Sequence, residues 1–364
     1  SQDIDKINKL GHKIHELNQQ ISKIEAGGIE TAMDLRDERD LALDQLGALA
    51  KISYKEDYKG VVTVKLEDEY FVDELHTYEI GKKTDKLTGF ITPYWPQLSD
   101  TDRDIYVNVF DFNVDISTAL NSDVGELKAL IMSRGDHWAD YSDIEGKGEQ
   151  EYLDTTNLSV IIDMQAKLDQ MVHNMITAIN DQLCPNVTGP VGVTYQDANG
   201  NTVNLSDAKV LDTENCARGS DGELPPRELF VRAGIERYTE VTGSDGKTYY
   251  VYNEEDTSDT SYMYSLTSCG VNEELKKIET LFPHLKQNGE VDQQLGERLE
   301  ALWNKDLVGL DPTDPDECNI EEYYQKMIGG LATVGNVYQK KAEDLAGSVL
   351  TIENNRQQVI GVSS

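Results

Sequence analysis

NIEEYYQKMIGGLATVGNVYQKKAEDLAGSVLTIENNRQQVIGV, residues 319–362, is the stretch whose reading decides the fold. Asn319 has the chemistry of a helix N-cap, and Glu322 three places on completes a capping-box pattern. Apolar side chains then recur at Tyr324, Met327, Leu331, Val334, Tyr338, Ala342, Leu345, Val349 and Ile352. Steps of three and four hold one helix face in register. A single stripe on so long a helix needs a partner, and the other end of the chain offers one. In residues 1–26, Ile7, Leu10, Ile14, Leu17, Ile21 and Ile24 form an unbroken heptad seam. The spacing predicts that the first and last segments pack on each other, with everything between them looped out and returned.

The 364 residues suggest two or three domains. An apolar fraction of 38% is low for a compact globule, yet 18 tyrosines and 3 tryptophans argue against a disordered chain. Against 67 acidic residues stand 33 basic ones, a net charge of −34. That balance repels a phosphate backbone and an anionic membrane alike, so no nucleic-acid partner is expected. No apolar run is long enough to cross a bilayer, so no membrane insertion is expected either. There is no initiator Met and no signal-peptide pattern. The chain begins inside one helical pattern and ends inside another, and it reads as an excised piece of a longer protein. Cys184, Cys216, Cys269 and Cys318 contain no Cys-x-x-Cys pair. They read as isolated thiols, with a disulfide among the first three open if the protein lives outside the cell.

In chain order, the heptad helix ends at Gly27-Gly28. A second helix is expected over 31–50, with Leu35, Ala42, Leu46 and Leu49 inward, closing an antiparallel hairpin. Its polar face carries Asp34-Leu-Arg-Asp-Glu-Arg-Asp40, where Arg36 and Asp40 stand at i and i+4 as in a solvated charge ladder. From residue 52 the period changes to two, at Val62, Val64 and Leu66, at Tyr70-Phe71-Val72, and at Ile105, Val107 and Val109. Asp123 and Glu126 form another capping-box pattern ahead of a helix over 125–134. A stronger helix over 157–183 places Leu158, Ile161, Leu168, Val172, Met175, Ile179 and Leu183 on one side. Beyond Pro185, Asn199-Gly200 reads as the type I′ turn of one hairpin, and Asp245-Gly246 as the turn of a second, between 238–242 and 248–252. Short helices follow over 272–282 and 291–303, and the turn Asp311-Pro-Thr-Asp-Pro-Asp leads into the last helix.

The fold class is therefore α+β and multidomain. An elongated antiparallel helical bundle is built from the N- and C-terminal parts of the chain, with antiparallel β domains inserted. The bundle takes residues 1–51, 123–183 and 271–364; the inserts take 52–122 and 184–270.

Candidate chemistry is thin. His12 and His15 stand three apart on a helix but lack a third ligand at useful spacing. Asp197-Ala-Asn-Gly-Asn201 has a faint calcium-loop look, without the Gly and terminal Glu of an EF-hand, and a hairpin explains it. There is no Gly-x-Ser-x-Gly, His-Glu-x-x-His or phosphate loop. No enzyme activity, cofactor or metal is expected.

Two segments are more specific. Asp34-Leu-Arg-Asp-Glu-Arg-Asp-Leu-Ala-Leu-Asp-Gln-Leu46 resembles the "DLRDxRDxLLDxL" stretch of the family of flagellar hook-associated protein 1, the first hook–filament junction protein. Glu353-Asn-Asn-Arg-Gln-Gln-Val-Ile-Gly-Val-Ser363 resembles that family's "ENxRxxxSGVS" segment, with Ile360 where the family usually has Ser. Gly125-Glu-Leu-Lys-Ala-Leu-Ile131 looks like its "GELxALL" helix. Val172-His-Asn-Met-Ile-Thr-Ala-Ile-Asn180 lies where the family has a helix ending in a similar Val-Asn pair. Order and spacing agree along nearly the whole chain; the β inserts match in position only.

The resemblance implies a structural subunit of the bacterial flagellum that joins hook to filament and has no catalytic role. It implies neighbouring copies of the chain in a ring, the hook protein and the second hook–filament junction protein as partners. It also implies an export chaperone for the full-length chain. Export would run through the flagellar secretion apparatus, without a cleavable signal, to an extracellular flagellum. The tube-forming terminal helices of the family would lie outside this chain. Its helical domain would contact neighbouring subunits, with the β domains outward. Two competing readings stay open: another axial subunit (the second junction protein or flagellin), and a surface adhesin or binding module on a coiled-coil stalk. The charged runs 36–40 and 353–357 are the candidate assembly surface, through Arg36, Asp37, Arg39, Asp40, Asn355, Arg356 and Gln357.

Overall fold

Helix α1 (Gln2–Glu25) buries Ile4, Ile7, Leu10, Ile14, Leu17 and Ile21, and its cover comes from neighbours in sequence rather than from the end of the chain. The computed structural model describes residues 1–27, 31–86, 88–111 and 124–361, without the side chains of 353–361. The chain divides into two compact units, Ser1–Trp138 with Leu158–Ile162, and Ala139–Asn157 with Asp163–Ser364. The architecture is an α+β mixture of helices and small antiparallel sheets.

In the first unit, α2 (Met33–Leu49) returns along α1 and buries Arg39, Ala42, Leu43, Leu46 and Leu49. Strands β1 (Ile52–Glu56), β2 (Val62–Leu66) and β3 (Glu69–Val72) form an antiparallel sheet in that order. Val62, Val64 and Leu66 alternate inward along β2. They share one core with Ile4, Ile7, Leu10 and Ile14 of α1 and Leu46 and Leu49 of α2. A hairpin of β4 (Gly81–Thr84) and β5 (Ile91–Tyr94) follows. Trp95 and Phe71 close the core with ring centroids 6.4 Å apart. Helix α3 (Glu126–Arg134) adds Leu127.

Two further features hold α1 to the strands. Gly11 lets α1 approach closely, since a Cβ there would stand 2.6 Å from the Phe71 ring. Asn8 and Asn18 each exchange two hydrogen bonds with one backbone residue, as a neighbouring strand would. Asn8 Nδ2 donates to the Ile80 carbonyl at 3.0 Å while its Oδ1 accepts from the Ile80 N–H at 2.9 Å. Asn18 does the same with Val62, at 2.8 and 3.1 Å.

Several expectations are corrected here. The α1 seam is covered by α2 and the first sheet, so it is not available to the last helix; Ile24, its predicted final member, is exposed. The first β segment is not looped out from the helices, because its strands and loops together supply nearly half of their common core. Residues 105–109 form no strand. They contribute the bridges Asp100–Ile105 and Tyr94–Asn108. Gly125 occupies the N-cap of α3, and Asp123 of the proposed capping box lies outside the described residues.

The second unit is built on α5 (Val160–Leu183), preceded by the short α4 (Glu149–Asp154). The buried side of α5 is Ile162, Ala166, Ile176 and Leu183, together with polar Lys167, Asp169, Gln170 and Asn180, whereas Leu158 just before it and Ile161 and Leu168 on it are exposed. The apolar spacing therefore held at the C-terminal end, where Leu183 is buried and Ile179 packs beside it, and failed toward the N-terminal end, where buried polar partners, invisible to periodicity, decide which side turns in. Strands β6 (Asn186–Thr188), β7 (Thr194–Gln196), β8 (Thr202–Asn204), β9 (Lys209–Leu211), β10 (Phe230–Arg232), β11 (Tyr238–Thr242), β12 (Thr248–Tyr252) and β13 (Cys269–Val271) follow. They pair as β11-β12-β9-β6, β7-β8 and β10-β13. Both predicted hairpins are present. The β7–β8 loop, however, is the five residues 197–201 rather than a two-residue turn, organised by Asp197, which accepts from the N–H groups of Asn199 and Asn201.

Short helices α6 (Glu273–Lys277) and α7 (Leu295–Ala301) precede α8 (Ile320–Gly361). The Asn319 side chain caps α8 by accepting from the Glu322 N–H at 3.0 Å. Among the described side chains of α8, only Tyr323 and Met327 are buried, against Leu310, Cys318, Met164 and Met171. The predicted stripe is corrected accordingly: Tyr324, Leu331, Val334, Tyr338, Leu345, Val349 and Ile352 are all exposed. All four cysteines are free thiols, which removes the disulfide alternative.

These burials predict that Ile14→Ala costs about 2–5 kcal/mol of stability, whereas Val334→Ala costs less than about 0.5 kcal/mol. Urea unfolding of the two variants measures both, and equal losses would contradict the packing described.

Candidate assembly surface

The Arg-Asp run of α2 is sorted by burial into two different things. Arg36 and Arg39 stand three apart and turn toward β1 and α1; Asp37 and Asp40 turn to solvent. Arg36 does not pair with Asp40 in a helix-surface ladder. Its Nε and Nη2 donate to the two carboxylate oxygens of Glu25 at 2.8 and 2.6 Å, and Nη1 donates to Glu56 at 2.6 Å. The fork geometry is the strong form of the contact. Glu25 also accepts from the Ala32 N–H at 3.0 Å. The Arg36 guanidinium, helped by that N–H, holds the Glu25 carboxyl at about 2, below its ordinary 4.5.

Arg39 is only 2% exposed. Nη1 donates to the Gly60 carbonyl at 2.5 Å and to Asn18 Oδ1 at 3.1 Å, and Nη2 lies 3.5 Å from Glu56. Its Nε is buried without a partner. Gly60 has φ +76, the left-handed region that favours glycine, and this turn presents the carbonyl to Arg39. One cluster thus ties the α1 C-terminus, the α2 N-terminal half and the β1–β2 turn together. The two arginines are fold-holding groups and are not free to meet a partner.

What faces outward on α2 is acidic. Asp37, Asp40 and Asp44 are exposed, and among the described residues none of them has an ion-pair partner. Met33 and Leu41 lie beside them, 59% and 55% exposed. Glu38 instead pairs with Lys13 of α1 at 2.7 Å. Asn355, Arg356 and Gln357 fall in α8, but their side chains lie outside the described residues.

Sequence reading missed Glu25, Glu56 and Asn18. Asn18 did leave a signal, a polar side chain between Ile14 and Ile21 on the buried flank of an apolar seam. The acidic partners left none, since carboxylates are everywhere in this chain.

Other titratable groups serve packing. His12 Nε2 lies 2.6 Å from Glu79, and His15 Nδ1 lies 3.3 Å from the Asp73 carbonyl. Among the described residues no three His, Cys, Asp or Glu side chains gather as a metal would require. In the second unit, Lys167 bridges Asp163 and Asp311, each at 2.9 Å. Tyr264 donates to Glu228, with Arg237 3.7 Å away. Burial raises the Glu228 carboxyl to about 7, although Tyr264 and Arg237 act to lower it. Asn180 clamps Phe230 with the same two-point pattern as Asn8 and Asn18, donating at 2.8 Å and accepting at 3.1 Å.

The family model of the flagellar hook-associated protein FlgK helical domain matches residues 1–189. No curated protein matches the chain. Among solved structures, the flagellar hook junction protein FlgK from Burkholderia pseudomallei is similar at 15% identity and a TM-score of 0.37, over 79% of this chain and 50% of that one. The chain therefore spans about half the length of that relative.

Arg39→Ala, which strips charged hydrogen bonds from Asn18 and Gly60, is expected to cost about 3 kcal/mol. Asp37→Asn and Asp40→Asn should each move stability by less than about 0.5 kcal/mol, and denaturant titration distinguishes the two classes. Because the Glu25 carboxyl is depressed in the fold, its contribution is complete above pH 4.5 and lost as the pH falls through about 2. Glu25→Gln should therefore flatten the acid limb of the stability curve; an unchanged limb would mean that the Arg36 fork does not hold in solution.

Proposed function

The chain belongs to the FlgK family of flagellar hook-associated proteins, and on that premise we propose that it is the structural subunit joining the flagellar hook to the filament. Membership by itself makes it a hook-associated structural component of the flagellum. The finer reading is a ring of copies seated between the hook and the second hook–filament junction protein. In that reading it works by contact alone, with neighbouring copies, the hook protein and the second junction protein as partners. The full-length chain would travel with an export chaperone and leave the cell through the flagellar secretion apparatus.

The observation that carries this is the family match over residues 1–189, just over half of the chain. The geometry is compatible with it. Charged side chains in the matched region are either spent on internal ties, as Arg36 and Arg39 are, or displayed unpaired on a helix exterior, as Asp37 and Asp40 are. No described helix is long and apolar enough to cross a membrane.

Cells lacking the chain should build hooks, fail to grow filaments and release filament subunits into the medium; the full-length chain should restore filaments. Immunogold labelling should mark a single band at the base of each filament. Label along the whole filament would favour the flagellin-like reading, and normal filaments in the deletion strain would end the junction reading.

A further inference from the structure

The outer face of the β1-β2-β3 sheet is chemically unlike the rest of this acidic chain. Val62, Val64 and Leu66 point into the core, so Thr63 and Lys65 point out. The register sets Ser53 beside Lys65, Lys55 beside Thr63, and Lys65 beside Tyr70, which builds one outward row across the sheet. Lys65 Nζ stands 4.6 Å from the Tyr70 ring centroid. Tyr70 is 53% exposed. An open hollow of about 410 Å³ is lined by Lys55, Thr63, Lys65 and Tyr70, with Glu56 and Asp57 at one end of β1. Among the described residues neither Lys55 nor Lys65 has a carboxylate partner, on a chain with 67 acidic side chains and 33 basic ones. Exposed tyrosine is enriched at interfaces, and two unpaired lysines beside it give this face a positive charge that an acidic surface can meet.

The matching surface is on the same unit, turned the other way. Helices α1 and α2 cover the inner face of this sheet. Ala42, Leu43 and Leu46 of α2 face that core, so Asp37, Leu41 and Asp44 face away from it. The α2 exterior has three unpaired carboxylates for two unpaired lysines, and Met33 and Leu41 for the Tyr70 ring. The two surfaces lie on opposite sides of one two-layer unit. A copy-to-copy contact between them is therefore head-to-tail, the kind that repeats around a ring.

We propose that the outer face of β1-β2-β3 receives a second copy of this chain, whose α2 sets Asp37, Asp40 and Asp44 against Lys55 and Lys65, and Met33 and Leu41 against Tyr70. This rests on the reading that copies of the chain stand side by side in a ring. Each exposed ion pair is weak on its own. Repetition around a closed ring supplies the avidity, and the charge pattern selects the register.

The test is charge exchange in the full-length chain. K55E/K65E and D37K/D40K should each lower the number of filament-bearing cells about tenfold or more, with unchanged melting of the purified proteins. Joining all four substitutions in one chain should restore filaments to near the wild-type number. Filaments unaffected by either pair, or no recovery in the combined variant, would overturn the proposal. Should the deletion strain itself grow normal filaments, the junction reading falls, and purified protein decides the contact independently. Mixed and oxidised, whole chains carrying K65C and D40C should form the mixed disulfide in clear excess over either self-pair. Equal amounts of all three products, or capture of K65C by a different protein in assembled flagella, would overturn it.

Discussion

The apolar seam of α1 is the constraint on which the first unit depends. A helix with Ile4, Ile7, Leu10, Ile14, Leu17 and Ile21 on one side cannot stay in water alone, and each such side chain is worth roughly 1.5–3 kcal/mol once covered. Cover from α2 on one flank and β2 and β3 on the other turns a helical hairpin and a small sheet into one body. That arrangement creates a junction where the end of α1, the start of α2 and the β1–β2 turn converge. Backbone carbonyls and carboxylates collect there, and Arg36 and Arg39 satisfy them. The arginines are consequences of the packing, and they lock it.

The same logic recurs wherever a helix meets strand backbone. Asn8 and Asn18 on α1, and Asn180 on α5, each offer one donor and one acceptor from a planar amide. A residue at a sheet margin has an unpaired N–H and C=O to satisfy, and an amide side chain completes the ladder without another strand. In the second unit, polar burial goes further. Lys167 with Asp163 and Asp311, and Glu228 with Tyr264 and Arg237, put hydrogen-bonded charge where apolar spacing would place leucines.

On α2 burial separates inward from outward charge. Side chains paired inside the fold resist deformation of each subunit. Side chains displayed without partners are the ones a neighbour can read. On α2 both kinds occur within five residues, Arg36 and Arg39 turned in, Asp37 and Asp40 turned out. The opposite face of the same unit carries Lys55, Lys65 and Tyr70, so one body presents a basic and an acidic surface back to back.

By itself the sequence determined the longer helices, six of the thirteen strands among the described residues, and the family. Heptad spacing placed α1, period-two alternation placed β2 and β3, Asp-Gly marked the β11–β12 hairpin, and the Arg-Asp run of α2 matched a known motif. These are local signals, written by periods of 3.6 and 2 and by turn residues. Only the tertiary structure decided which surfaces meet. The stripe on α8 and the seam on α1 match in period, but a period names no partner, and nearby α2 and β2 cover α1 while Tyr323 and Met327 are the buried ones among the described side chains of α8. The run at 36–40 read as one charged surface because sequence carries no depth. Folding buried Arg39 against Asn18 and Gly60 and left Asp37 in water, because the helix turns 100° per residue and the core lies on one side only.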